Sequence, residues 1–239
     1  MENEKLRITW LGFGAFYMIT PEGRKVLIDP WVHNNPLFPP AYKEHILDCD
    51  VILLTHGHRD HAEDAVELAK STGAEVVAGW ELAQLLIQRG VQKVLPINKG
   101  GTRKLGNLSV TAVYADHSGA FVENGQIIYG GEPMGYVIRF ENGFTLYHAG
   151  DTNVFGDMAL IAELYQPSAT ILPIGDVFTM GPREAAKAIE LLQVKEIIPM
   201  HFGYDFLTGT PEKLSEFVSD ESIKIHHIQA GDTLTDVGE

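Results

Sequence analysis

Thr55-His56-Gly57-His58-Arg59-Asp60-His61 places three imidazoles and one carboxylate in a single short run. Imidazole nitrogen and carboxylate oxygen are the natural ligands of Zn²⁺ and similar divalent metals. His56 and His58 are two apart, so on an extended backbone they point to the same side. Asp60 and His61 are adjacent, so they diverge and are free to serve a different ion. Gly57 allows a sharp backbone path between the first two ligands. One run therefore offers two ligand pairs, which predicts a two-metal site. A polar loop or a His-rich helix start is the plain alternative. Four ligand-type side chains directly after the apolar run Val51-Ile52-Leu53-Leu54 outweigh it.

Each ion needs more donors, and three candidates stand at strand ends. His117 follows Val113-Tyr114-Ala115-Asp116, Asp151 follows His148-Ala149-Gly150, and His201 follows Ile197-Ile198-Pro199-Met200. In open α/β sheets the carboxyl ends of strands are where ligands collect. A lone His at such a place is more often structural; beside the first cluster these three read as ligands.

The elements that must position these groups are legible as periods. Leu6–Trp10, Ala15–Thr20 and Lys25–Ile28 read as strands, followed by a Pro- and Asn-rich loop from Asp29 to Tyr42. Val51–Leu54 reads as a strand buried on both faces. Helices are predicted over Glu63–Ser71 and Glu81–Gln88, with strands at Glu75–Ala78 and Lys93–Ile97. Leu108–Tyr114 alternates as a strand, and Tyr136–Phe140 pairs with Thr145–His148 as a hairpin. Helices at Asp157–Leu164, Pro182–Leu192 and Pro211–Val218 then alternate with strands at Thr170–Pro173, Ile197–Met200 and Lys224–Ile228. Strands first, then mixed helices and strands, point to an α/β or α+β sandwich.

The ordered set Thr55-His56-x-His58-x-Asp60-His61, His117, Asp151 and His201 resembles the metallo-β-lactamase superfamily. The resemblance implies an α/β fold, a four-layer αβ/βα sandwich, in a single metallo-β-lactamase-like hydrolase domain over residues 1–239. It also implies a ligand set: His56, His58 and His117 for one ion, Asp60, His61 and His201 for the other, and Asp151 between them. Asp29, in Leu27-Ile28-Asp29-Pro30, resembles the superfamily's early aspartate, which orients a ligand histidine. Ile8-Thr9-Trp10-Leu11-Gly12, Leu172-Pro173-Ile174-Gly175-Asp176 and Pro199-Met200-His201-Phe202 resemble a branch of small metal-dependent hydrolases similar to L-ascorbate-6-phosphate lactonases. Phe13 departs from that branch, where related sequences often carry His.

These readings predict a hydrolase that uses two divalent ions, Zn²⁺ first and Mn²⁺, Ni²⁺ or Fe²⁺ as alternatives. Hydroxide generated at the metals would attack a small, anionic ester, lactone or phosphodiester, with Asp60 orienting it and shuttling a proton. Two dications (+4), less Asp60, Asp151 and hydroxide (−3), leave the centre at about +1. A nuclease, an iron-dependent redox enzyme and a non-catalytic metal-binding protein are the competing readings.

Composition narrows that choice. The 239 residues carry 18 Lys+Arg against 32 Asp+Glu, a net charge of −14. Such a surface disfavours nucleic acid and anionic membranes. The single cysteine, Cys49, forms no internal disulfide and reads as a core residue. No run approaches the ~18 apolar residues of a membrane span, and the N-terminus lacks signal-peptide character. The expectation is a cytoplasmic enzyme with a small-molecule substrate; assembly into a homo-oligomer stays open. The Gly-rich segment 118–135, directly after His117, is expected either as a lid over the site or as a surface hairpin. Asp176, Thr179 and Tyr204 are further candidates for the cleft. Arg59 is expected to face solvent or a carboxylate, and His33, His45, His226 and His227 to be structural or exposed.

Overall fold

The computed structural model describes residues 5–235 and 237. The first sheet contains β1 (Arg7–Trp10), β2 (Phe16–Ile19), β3 (Lys25–Ile28), β4 (Val51–Leu53), β5 (Glu75–Gly79) and β6 (Val94–Ile97). The second contains β7 (Thr102–Leu105), β8 (Leu108–Tyr114), β11 (Met134–Arg139), β12 (Thr145–His148), β13 (Ala169–Pro173), β14 (Glu196–Met200) and β15 (Lys224–Ile225). β16 (Thr233–Leu234) returns to pair with β1, so the first sheet runs β16-β1-β2-β3-β4-β5-β6. The second runs β15-β14-β13-β12-β11-β8-β7. Each sheet is antiparallel on one side and parallel on the other. A separate hairpin, β9 (Ala120–Glu123) with β10 (Gln126–Tyr129), follows the loop bearing His117.

Alternation along the first sheet assigns its two faces. Ile8, Trp10, Phe16, Met18, Val26, Ile28, Val51 and Leu53 join the core shared with the second sheet. Tyr17, Leu27, Ile52, Leu54 and Val76 instead pack on α3 (Ala65–Thr72) and α4 (Trp80–Gln88), through Leu68, Leu82 and Leu86. The second sheet carries α5 (Met158–Tyr165) and α6 (Pro182–Leu192), whose Met158, Ala188 and Ile189 join the large core. Helix, sheet, sheet, helix is the four-layer sandwich expected from sequence. α1 (Lys43–Ile46), α2 (Arg59–Ala62) and α7 (Pro211–Phe217) complete the α-helices of the described residues, and a 3-10 turn at Pro40–Tyr42 leads into α1. No helix among those residues is long and apolar enough to cross a membrane.

Several boundaries differ from expectation. The helix expected at Glu63–Ser71 begins at Ala65, and α2 precedes it. Asp64 breaks the run because its carboxylate accepts the backbone N–H groups of Val32 and His33, tying down the loop after β3. β7, β16 and the short α1 carry too little periodicity to be read from sequence. Segment 118–135 contains a hairpin whose Ala120 backbone packs close over Gly57.

Candidate metal centre

The chain ends of β3, β4, β8, β12 and β14 reach one edge, and each delivers a polar side chain there: Asp29, His56, His117, Asp151 and His201. The two sheets are pinned together at this edge. Tyr136 Oη donates to Leu54 O at 2.6 Å, and Met134 N donates to Thr55 O at 3.1 Å. The Asp151 loop is tied to the His117 loop by Asp116 N donating to Thr152 Oγ1 (2.9 Å) and Asn153 N donating to Asp116 O (3.0 Å).

All seven expected ligands converge, in two adjoining groups. In the first, His56 Nε2 lies 3.0 Å from His58 Nδ1, and His117 Nε2 lies 3.2 Å from the same His58 atom. In the second, Asp151 Oδ2 lies 3.2 Å from both His61 Nε2 and His201 Nε2. Asp60 Oδ2 lies 3.4 Å from His201 Nε2 and 3.7 Å from His61 Nε2. Asp151 Oδ2 is also 3.9 Å from His117 Nε2, so it faces both groups. Asp60 and His61, adjacent on α2, both enter the second group.

These donors fit divalent ions. Three imidazole nitrogens turned toward one point, about a tetrahedral edge apart for bonds of about 2.0–2.1 Å, have the spacing a tetrahedral cation needs, and a single shared proton cannot satisfy all three. His61 Nε2 and Asp151 Oδ1 are buried without hydrogen-bond partners among the described residues. Orphaned polar atoms of this kind are costly unless something else satisfies them.

Asp29 serves both groups from behind. Its fully buried carboxylate accepts from His61 Nδ1 at 2.8 Å, which leaves Nε2 as the outward lone pair. It also accepts Thr55 N (2.8 Å) and Thr55 Oγ1 (2.6 Å). With its proton directed to Asp29, the Thr55 hydroxyl accepts from His56 Nδ1 at 2.9 Å, turning His56 Nε2 toward the first group. Asp29 and His201 both sit in the left-handed region, with φ 47° and 57°. Such backbone strain clusters at functional sites. Gly14 is required beside them, because a Cβ there would stand 2.4 Å from His61 Cε1.

Burial pushes His56, His58 and His117 below the ordinary imidazole range. It acts the same way on His61 and His201, but neighbouring carboxylates, Asp151 foremost, outweigh it and raise both. For Asp151 and Asp60 burial pushes upward, and His61 and His201 outweigh it, so both carboxyls titrate below their usual range. His148 lies beneath the cluster, takes a hydrogen bond from Gly150 N on Nδ1, and is held down to about 4 by burial.

Asp60 is part-exposed and opens onto a cavity of about 360 Å³. Tyr204 lines it, as expected. Asp176 and Thr179 do not; Asp176 instead accepts from Thr208 Oγ1 in a turn. Arg59 finds a carboxylate, donating through Nε to Glu63 at 2.8 Å. His33, His226 and His227 pair with Asp64, Glu196 and Glu212, away from the centre. Cys49 is buried. Sequence reasoning gave no role to Thr55, Trp31 or Glu63. The i,i+4 spacing of Arg59 and Glu63 is the one local signal that pointed to the last.

Two mixed sheets with a histidine–aspartate cluster on their common edge define the metallo-β-lactamase fold. The family model described as a beta-lactamase superfamily domain matches residues 24–202. A UPF0173 metal-dependent hydrolase of Koribacter versatilis is 49% identical over 234 residues, 98% of this chain and 99% of the relative. Igni18, a metallo hydrolase from the archaeon Ignicoccus hospitalis, is similar at TM-score 0.83 and 30% identity, over 96% of this chain and 97% of that one. CmlA, a diiron beta-hydroxylase of Streptomyces venezuelae, shares the fold alone, at TM-score 0.75 and 15% identity over 97% of this chain and 54% of that one. The chain belongs to the beta-lactamase superfamily and, within it, to the UPF0173 metal-dependent hydrolases.

Proposed function

We propose that the protein holds two divalent ions, zinc in the first instance, and hydrolyses a small anionic ester, lactone or phosphodiester. His56, His58 and His117 would hold one ion and Asp60, His61 and His201 the other, with Asp151 between them. The observation that carries this reading is the pair of adjoining donor groups, with Asp60 opening from one of them onto a cavity. Bound there, the ions supply Lewis acidity to the electrophile's oxygen and bring the ionisation of water toward neutral pH.

The chain's own groups do the rest. Asp60, ionised well below neutral pH, accepts a hydrogen bond from the attacking water at Oδ and orients its lone pair. Its weak hold on a proton suits a relay from water to leaving group rather than a proton store. Asp29 and Thr55 keep His61 and His56 in the tautomers that offer Nε2. The net charge of −14 and the lack of a basic tract support a small substrate rather than nucleic acid. The resemblance to L-ascorbate-6-phosphate lactonases supports the lactone among the three electrophiles.

Metal analysis with a panel of esters, lactones, phosphodiesters and thioesters tests this. Two ions per chain are expected, with activity lost on chelation and restored by Zn²⁺ or Mn²⁺. Asp60→Ala should lower turnover by roughly a hundredfold or more. Oxygen consumption by an iron form that cleaves none of the panel would overturn the reading.

A further inference from the structure

The cavity beside Asp60 and His201 has one wall made almost entirely of rings. Phe13 meets Trp31 edge to face at 4.8 Å and Tyr204 at 5.7 Å. Tyr204 meets Phe206 at 5.5 Å, and Phe206 meets Phe178 at 5.7 Å, both nearly perpendicular. This arc starts at the metal centre itself, because Phe13 also stands edge-on to His201 at 5.4 Å. Phe13 is pinned there: its carbonyl accepts from Trp10 Nε1 (2.9 Å) and from His201 N (3.1 Å). At the far end Phe178 and Phe206 are 59% and 47% exposed, so the arc's last rings are only partly covered.

Glu63, itself outside the lining, ties three of the lining residues together. Its Oε2 accepts from Trp31 Nε1 at 2.8 Å, and its Oε1 accepts from Asn34 Nδ2 at 3.0 Å and Arg59 Nε at 2.8 Å. Trp31 and Arg59 are thereby held at the cavity by one carboxylate. The guanidinium keeps its terminal nitrogens unengaged among the described residues, and they are available to an anion.

Rings in such an arc offer edges and faces to one apolar guest, and a volume of about 360 Å³ lies within the ~300–1,000 Å³ of small-molecule sites. An aromatic enclosure also suits a quaternary ammonium group. Arg59 and a cation-binding centre on the floor disfavour that guest electrostatically. We infer that this cavity selects substrates whose non-reacting end is an aryl group or an apolar group of similar size, with Arg59 meeting the substrate's anionic group. The inference rests on the hydrolase reading for the reaction, but it concerns recognition and is testable without turnover.

Calorimetric titration of the zinc-loaded protein with phenylacetate, acetate and phenyltrimethylammonium is the test. Phenylacetate should bind on the order of tenfold more tightly than acetate, as expected for burying a ring against rings. Phe206→Ala, at a half-exposed position where folding is not at risk, should shrink that ratio severalfold and leave acetate binding unchanged. Arg59→Gln should weaken both carboxylates alike. Equal binding of the two carboxylates, a ratio indifferent to Phe206→Ala, or tighter binding of phenyltrimethylammonium would each overturn the inference. If the ratio appears but no ester, lactone or phosphodiester is cleaved, the proposed reaction fails and the aryl site stands. If small acetyl esters are cleaved and the ratio is absent, the reverse holds.

Discussion

The two donor groups lie side by side, with Asp151 of one facing His117 of the other, yet they hold protons in opposite ways. In the three-histidine group, burial and the neighbouring imidazoles push His56, His58 and His117 down, so the rings are neutral and their lone pairs ready. In the group with Asp60 and Asp151, the carboxylates outweigh burial and raise His61 and His201. Metal and proton compete for the same nitrogen. The first group therefore resembles a preformed nitrogen cage. The second is a charged nest whose metal must displace a proton that the carboxylates favour. The lesson is that carboxylates beside imidazole strengthen its hold on any cation, proton included.

The strongest way to break this comparison is to remove the carboxylate that faces both groups. Asp151→Ala deletes a donor from the second group and the carboxylate 3.9 Å from His117, and it leaves buried His61 and His201 without their principal counter-charge. Activity should fall well beyond the ~10–100-fold typical of losing an outer partner of a metal ligand. Bound metal should drop from two ions per chain to one or fewer by elemental analysis. Full retention of both ions would show that Asp151 does not link the groups.

A smaller effect is expected at Asp29, which touches no reacting atom and reaches both groups. Asp29→Asn keeps the shape but loses charge and turns one of two accepting oxygens into a donating NH₂, so it cannot accept all three bonds from His61 and Thr55. Metal affinity should fall by ~10–100-fold. Because the route to His56 runs through Thr55, Thr55→Val should reproduce the loss at the three-histidine group and spare the other. Competition with a chromophoric chelator reads both constants. A loss at one group only in Asp29→Asn would restrict this carboxylate to His61.

Sequence alone made much of this architecture legible where chemistry or burial is concentrated. Val51-Ile52-Leu53-Leu54 has no polar residue to place in water, so a strand buried on both faces is its one economical use, and its end at Thr55 locates the centre. His117, Asp151 and His201 were legible because each follows an apolar strand that ends at the same edge. Of the aromatic arc only Tyr204 was placed in the cleft beforehand. Trp31 and Phe206 lie in irregular segments whose path depends on distant anchors, such as Asp64 holding Val32 and His33. The start of α3 was missed for the same reason: a long-range acceptor role at Asp64 overrode a continuous helical period. β7 and β16 are edge strands of four and two residues, defined by their partners rather than by their own pattern.

The finest test of the comparison is the pH dependence of stability in chelator-treated protein, where the proton balance stands alone. An unfolded histidine titrates near 6.5. His56, His58 and His117 titrate lower when folded, so as pH falls below about 6.5 the unfolded chain binds protons that the folded one refuses, and stability is lost. His61 and His201 titrate higher when folded. Their contribution is fully present below about 6.5 and is lost as pH rises through their folded values. Asp60 and Asp151 add a term present above about 3.8 that disappears only in stronger acid. His56→Gln should therefore flatten the acid limb of the urea midpoint plotted against pH, and His201→Gln the alkaline limb. His148, held to about 4, contributes an acid loss that accumulates to roughly 3 kcal/mol between pH ~6.5 and ~4 in every variant, and so serves as the internal reference. If both glutamine variants altered the same limb, the two groups would hold protons alike, and the contrast drawn between cage and nest would be wrong.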